Sequence, residues 1–265
     1  MTALITLGLR LQTVASFVPE GAKLGDIGTD HAYLPIALYE AHQISKAVAV
    51  DVHEGPYQSA LTAVKDRQLE SVIDVRLGDG LMPLVPGEVN VLTLAGMGGR
   101  TMLDILSARV DVLNSVTDLI VQPQGGEGAV RLALLDGGWR LKAERLVEED
   151  NRKYVVMAFS KVEGLGLAEL YKIEHDWSQR LQTLVENGSI LAEGFQSLVH
   201  RLVWHFGPLI LEERTDLLRG YLNEYRGMLL KRLEQMKKST NTEIGSKIRE
   251  VSEELTLLEG LRTWQ

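Results

Sequence analysis

Apolar residues along this chain follow two spacings, and the change from one to the other divides it. Up to residue 163, short apolar runs alternate with stretches of helical spacing; beyond it only helical spacing remains. Leu7, Leu11, Val14 and Phe17 predict a helix from Leu4 to Phe17 that covers a sheet edge. Lys23–Asp26 and residues 47–52, 72–77, 90–95 and 118–122 predict five strands. Helices are predicted from His31 to His42, Gly55 to Arg67, Gly99 to Ala108 and Gly126 to Asp136. Pro35 is tolerated because it lies in an opening turn. Strands alternating with helices predict an α/β fold of the doubly wound type. Trp139–Val147 and Tyr154–Ser160 alternate with period two across Glu148–Arg152, which predicts an antiparallel pair.

Gly164-Leu165-Gly166 separates a first domain, residues 1–163, from a helical domain, residues 164–265. Helices are predicted over Glu169–Asn187 and Ala192–Trp204, with a break at Gly207-Pro208. Leu218, Leu222, Tyr225, Leu229 and Met236 lie near a seven-residue repeat. Ile244, Ile248, Val251, Leu255 and Leu258 step by four, three, four, three. That is a heptad seam, so a coiled-coil-like antiparallel hairpin around the polar Lys237–Thr242 turn is predicted.

Bulk properties narrow the function classes. The 265 residues are 45% hydrophobic, enough for a packed core, and no apolar run reaches the ~18–20 residues of a membrane span. The first ten residues lack a basic region ahead of their apolar ones, so no signal peptide is expected and the cytoplasm is the expected location. Absence of cysteine excludes disulfides and thiolate metal sites, and His42 and His53 have no partner at ligand spacing, so no metal is expected. The net charge of -8 argues against a broad phosphate-binding surface. Arg226, Lys231, Arg232, Lys237 and Lys238 suit either local RNA phosphates or plain solvation, and the helical hairpin suits RNA contact or dimerisation equally.

The chemistry collects at successive strand ends. Asp26-Ile27-Gly28-Thr29-Asp30 closes the first strand with a glycine turn between carboxylates, where doubly wound sheets bind ligands. Asp51, followed by Val52, ends the second strand and suits ribose hydroxyls. Gly78-Asp79-Gly80 follows the third and suits an adenine amino group. Ala95-Gly96-Met97 closes the fourth ahead of Gly98-Gly99. The first turn lacks the Gly-x-Gly-x-x-Gly of dinucleotide sites, so S-adenosylmethionine (SAM) is expected rather than NAD. His31 reads as a structural hydrogen-bonder or as a contact at the pocket lip, and Tyr33 is expected to pack.

The string Asp26-Ile27-Gly28-Thr29-Asp30-His31-Ala32-Tyr33-Leu34-Pro35-Ile36 resembles the bacterial tRNA (adenine-22-N1)-methyltransferases. So do the Asp51–Pro56 segment, Ala95–Gly99, Leu119–Gln124 and His205-Phe206-Gly207-Pro208-Leu209. The resemblance implies a Rossmann-like class I methyltransferase domain, a mostly parallel seven-stranded sheet closed by an antiparallel strand. It also implies methyl transfer from SAM to N1 of adenine in tRNA, with SAM and its product S-adenosylhomocysteine bound in turn. On that reading Asp26, Gly28, Asp51, Val52, Gly78, Asp79, Gly80, Ala95, Gly96 and Met97 hold the donor. Asp30 and His31 face the target base and Gln122 its amino edge. Gln122-Pro123-Gln124 departs from the Asn/Asp-Pro-Pro-aromatic pattern of amino-methylating enzymes, so an exocyclic amine is not the expected target. A small-molecule or protein methyltransferase with a dimerising tail, and a non-catalytic adenosyl-binding protein, are the alternatives. The chain is expected to be a monomer or a homodimer.

Overall fold

The computed structural model describes residues 5–238 and 245–263. Leu4, residues 239–242 of the expected polar turn, and Ile244 lie outside the described residues. The chain divides into two compact units, Met1–Gly166 and Leu167–Gln265.

The first unit runs α1 (Leu9–Phe17), β1 (Ala22–Ile27), α2 (Tyr33–Glu40), β2 (Ile44–Asp51), α3 (Glu54–Lys65), β3 (Ile73–Leu77) and β4 (Val91–Met97). It continues with α4 (Gly99–Ala108), α5 (Val110–Ser115), β5 (Asp118–Pro123), α6 (Glu127–Asp136), β6 (Arg140–Glu149) and β7 (Arg152–Ser160). The seven strands form one sheet in the order β3-β2-β1-β4-β5-β7-β6. β1 to β5 are parallel, and β7 inserts antiparallel between β5 and β6. This is the Rossmann-like sheet expected from the sequence. Chain order reverses between β1 and β4, the switch point where such sheets open a crevice at their carboxyl ends.

Parallel strands covered on both faces read as near-continuous apolar runs, as Ala47–Val50 of β2 and Val91, Leu92 and Leu94 of β4 do. One core joins Val14 and Val18 near α1, Leu34, Ile36 and Leu38 of α2, and Ala60 and Val64 of α3 to Leu24, Ala47, Ala49 and Val91 of the strands. α4 packs on β4, α6 on β6, and the two helices on each other.

Two helix starts and one added helix differ from expectation. α1 starts at Leu9, because Gly8 is its extended cap residue; it covers the edge strand β6, as expected, and reaches on over β7, β5 and β4. α2 starts at Tyr33, not His31, because Asp30 and Ala32 both take φ of 55°. α5 has only six residues and was not anticipated.

The second unit contains α7 (Leu167–Leu181), α8 (Thr183–Glu186), α9 (Ala192–Phe206), α10 (Pro208–Glu213), α11 (Asp216–Lys237) and α12 (Gly245–Thr263). Leu218, Leu222 and Leu229 of α11 and Val251, Leu255 and Leu258 of α12 are buried, as the heptad pattern requires. Glu254, Leu257 and Leu261 are buried too, because α12 packs on α7, α8 and α9 as well as α11. A two-helix coiled coil is therefore too narrow a description. The buried Glu254 carboxylate is satisfied by Arg201 Nη2 at 2.9 Å and by the Tyr225 hydroxyl, which donates at 2.7 Å. Glu174 accepts from Trp204 Nε1 at 2.6 Å and faces His200 Nδ1 at 3.0 Å. No helix among the described residues is long and apolar enough to cross a membrane.

Candidate active site

The turn after β1 is built by backbone conformations that few residues tolerate. Gly28 takes φ of 74°, natural for glycine, but Asp30 and Ala32 take 55° in the same turn. Strained non-glycine residues gather where structure serves function, at roughly 1–3 kcal/mol each. The amides of Gly28 and Thr29 both donate to the Val50 carbonyl, at 2.9 and 3.0 Å, which ties the turn to β2. The Asp30 amide donates to Asp51 Oδ2 at 3.1 Å, and the His53 amide to Asp51 Oδ1 at 3.0 Å. Asp51 thus links two strand tips from a buried position.

Asp26 sits deeper. Its Oδ2 accepts from the Thr29 hydroxyl and its Oδ1 from the Thr93 hydroxyl, both at 2.6 Å. Burial pushes the carboxyl above its ordinary value, the two hydroxyls oppose that, and the nearby Asp51 charge adds to it.

At the tip of β4 the ladder with β5 slips between Ala95 and Met97, leaving Gly96 as the bulged residue at φ of 80°. The Gly96 amide donates to Gln122 Oε1 at 3.1 Å. That oxygen also accepts from Arg10 Nη1 at 2.8 Å, and Gln122 Nε2 donates to the Pro123 carbonyl at 2.8 Å. Gln122 is fully buried with both ends of its amide occupied. It lies beneath the site and braces it, not at an exposed edge where a target amine would meet it. Gln124 and Gly99 close the two loops together, since the Gln124 amide donates to the Met97 carbonyl at 2.8 Å and the Gly99 amide to the Gly125 carbonyl at 3.1 Å.

One cavity of about 280 Å³ opens between the β1 and β4 tips, and Arg10, Asp26, Gly28, Asp30, His31, Ala95 and Gly96 line it. Six of the residues expected at the site from sequence therefore share one cleft, and Arg10 joins them unannounced. Met97 adjoins it, for a Cβ on Gly28 would lie 2.9 Å from Met97 Cε. Asp51 is one hydrogen bond away through Asp30. Val52 and Asp79 stand exposed at the neighbouring tips of β2 and β3. Gly78 and Gly80 flank Asp79 where a Cβ has no room, since it would meet Pro83 at 2.3 Å and Ile105 at 2.8 Å. His31 and Tyr33 stack with ring centroids 5.0 Å apart and planes 17° apart, both partly open to solvent at the lip. Tyr33 is thus a surface ring and not the packed one expected. A larger cavity of about 360 Å³ lies at the amino ends of β1 to β3, where Arg76 makes a two-toothed pair with Glu88 at 2.8 and 2.9 Å. It is at the end of the sheet where doubly wound folds do not bind ligands.

Arg10, Thr29, Thr93 and Glu149 were missed by sequence reasoning. The Thr at Asp26 plus three was the one local signal; the others come together only through the fold.

Residues 7–157 match the family of methyltransferase domains. Over 153 residues the chain is 41% identical to the tRNA (adenine(22)-N(1))-methyltransferase of Bacillus subtilis, a match that covers 58% of this chain and 64% of that relative, just under two thirds. A candidate tRNA (m1A22) methyltransferase of Streptococcus pneumoniae superposes with a TM-score of 0.76 at 31% identity, covering 97% of this chain and all of that one. The chain belongs to the tRNA (adenine-22-N1)-methyltransferase family. The crystal structure of the family's Bacillus subtilis m1A22 enzyme aligns over 97% of this chain and 99% of that one, at 29% identity and a TM-score of 0.77. The Streptococcus pneumoniae member has also been solved in complex with S-adenosyl-L-methionine. Likeness to the family thus extends through the helical unit, beyond the domain match.

Proposed function

We propose that this protein transfers a methyl group from SAM to N1 of adenine 22 in tRNA, in the cytoplasm. The observation that carries the reading is the convergence of Asp26, Gly28, Asp30 and Gly96 on one cleft at the switch point, with Asp51 tied to its rim. These residues fit the donor. Gly28 and Gly96 leave the backbone open at the cleft, carboxylates suit the donor's ammonium group and ribose hydroxyls, and Val52 beside exposed Leu77 offers apolar cover for its adenine. When bound, the donor supplies an electrophilic methyl on a cationic sulfur.

The chain's own task is then placement. Adenine N1 carries a lone pair, so no proton has to leave before attack and no strong base is required. Orientation is the main resource, and it can supply about 7–11 kcal/mol at the limit. N1 is inaccessible inside a base pair, so the target base must be extruded or unpaired. The His31–Tyr33 stack at the lip is suited to receive it; base stacking on such rings is worth about 1–3 kcal/mol. Asp30, exposed beside His31, lies where it can stabilise the positive charge that the methylated ring acquires. Gln122 serves by fixing the Gly96 bulge from below.

The test is nucleoside mass spectrometry of unmodified tRNA incubated with the protein and labelled donor, with a tRNA carrying guanine at position 22 as control. Label in N1-methyladenosine from the first tRNA alone is expected. Label at other positions, or in a small molecule or protein instead, defeats the assignment. Asp51→Asn is expected to weaken donor binding by about 10-fold or more while leaving the fold intact, as measured by calorimetry and circular dichroism.

A further inference from the structure

The cleft presents a charge problem that the donor reading leaves open, and the inference here rests on that reading. A methionyl tail ends in an ammonium and a carboxylate side by side. Asp26 and Asp30 suit the ammonium but repel the carboxylate. Among the residues lining the cleft, Arg10 alone carries a permanent positive charge. We propose that Arg10 anchors the donor's tail carboxylate, and that Glu149 and Gln122 are the positioning residues that hold Arg10 for it.

The guanidinium is placed, not merely present. Its Nη1 donates to Gln122 Oε1 at 2.8 Å, its Nε lies 3.5 Å from Glu149 Oε2, and it sits 5.7 Å over the Tyr154 ring. The side chain is only 21% exposed. An arginine has five N–H donors, and here Nη2 has no protein partner among the described residues. The edge beside the cleft thus keeps donors free, in the fork that matches a carboxylate. A Cβ on Gly96 would lie 3.6 Å from Nη1, which places the bulge backbone beside the guanidinium.

The bracing comes from far along the chain. α1 has no side-chain cap of its own, and Glu149 accepts from the Arg10 amide through Oε1 at 3.2 Å. One carboxylate therefore satisfies an orphan donor in the first turn of α1 and holds the side chain that the same residue carries. Arg10 has only donors, so it takes the Gln122 oxygen, and the Gln122 nitrogen, donating to the Pro123 carbonyl, keeps that oxygen turned toward it. Helix start, hairpin end and two strand tips fix one guanidinium.

The experiment compares two ligands on two proteins by calorimetry: SAM and decarboxylated SAM, which lacks the tail carboxylate, on wild type and Arg10→Gln. Wild type is expected to prefer SAM by about 10- to 150-fold, the range for a charged hydrogen-bonded pair. Arg10→Gln is expected to lose that preference by weakening SAM alone, with decarboxylated SAM held within about 3-fold. A purely structural role for Arg10 weakens both ligands alike and leaves the ratio intact, which overturns the proposal. So does unchanged donor affinity with weaker, less salt-sensitive tRNA binding, which assigns the arginine to an RNA phosphate. Arg10→Lys, retaining the charge without the fork, is expected to recover part of the preference. Failure of the wild-type protein to bind either ligand overturns the methyl-donor reading itself, an outcome distinct from loss of the ratio effect.

Discussion

At the scale of single residues, the glycines at the end of β4 show how one short cluster serves two purposes. Gly96 needs its positive φ, and a Cβ there would make only ordinary contacts, with Arg10 Nη1 at 3.6 Å and Gln124 Nε2 at 4.0 Å. Gly99 has ordinary dihedrals but no room, since a Cβ would lie 2.8 Å from the Gly125 carbonyl oxygen and 2.9 Å from Val130. Gly96→Ala is therefore expected to cost about 1–2 kcal/mol of backbone strain and Gly99→Ala about 1–3 kcal/mol of overpacking. Urea titration checks the costs, and calorimetry is expected to show the larger loss of donor affinity in Gly96→Ala. Asp26 gives a pH signature. Its folded-state pKa lies above the unfolded one, so protonation favours the fold. That stability is fully present below the unfolded value, about 3.9, and is lost as pH rises through the raised folded value. Asp26→Asn removes the titration, so the melting temperature of the variant minus that of wild type is expected to rise as pH increases from about 4. A difference that is flat with pH sinks this account of the buried carboxyl.

At the scale of elements, the β6–β7 hairpin matters most, because it delivers Glu149 to the site. Its turn is the two residues Asp150 and Asn151, at φ of 51° and 58°. Both central residues are left-handed, the turn whose twist matches a hairpin, and Asp and Asn are among the residues that tolerate it. Asn151→Val is expected to cost about 1–2 kcal/mol, since a β-branched side chain resists positive φ, and to weaken donor binding through Glu149 and Arg10. Asn151→Gly is expected to leave both nearly unchanged. Urea midpoints and calorimetry separate these outcomes. The parallel strands and α4 were legible because apolar runs and glycine boundaries are local signals. The start of α1 was not, because its amide acceptor, Glu149, lies 139 residues away. Gln122 was placed at the correct strand tip, yet its direction depends on Arg10 and Gly96, which no spacing reveals. The heptad steps of α12 located real core positions, but burial of Glu254 and Leu257 comes from further helices that periodicity along one element cannot count.

At the scale of the whole molecule, donor and acceptor make different demands on the two units. Every residue lining the proposed donor cleft lies between Arg10 and Gln124, inside the first unit. That unit has its own sheet and core, and the second has another, with Trp177, Phe195, Leu202, Trp204, Phe206 and Leu258 buried in it. Residues 1–166 hold 15 Lys+Arg against 21 Asp+Glu, and residues 167–265 hold 13 against 15. The unit with the donor cleft is therefore the more acidic one and the poorer surface for a polyanion. Residues 1–166 expressed alone are expected to fold and to bind SAM within about 3-fold of the full chain. Their methylation of tRNA is expected to drop by about 100-fold or more, as when several phosphate contacts are removed. Full tRNA activity in the fragment, with a change only in sedimentation, assigns the helical unit to self-association. Loss of SAM binding in a folded fragment shows instead that the donor cleft depends on the second unit.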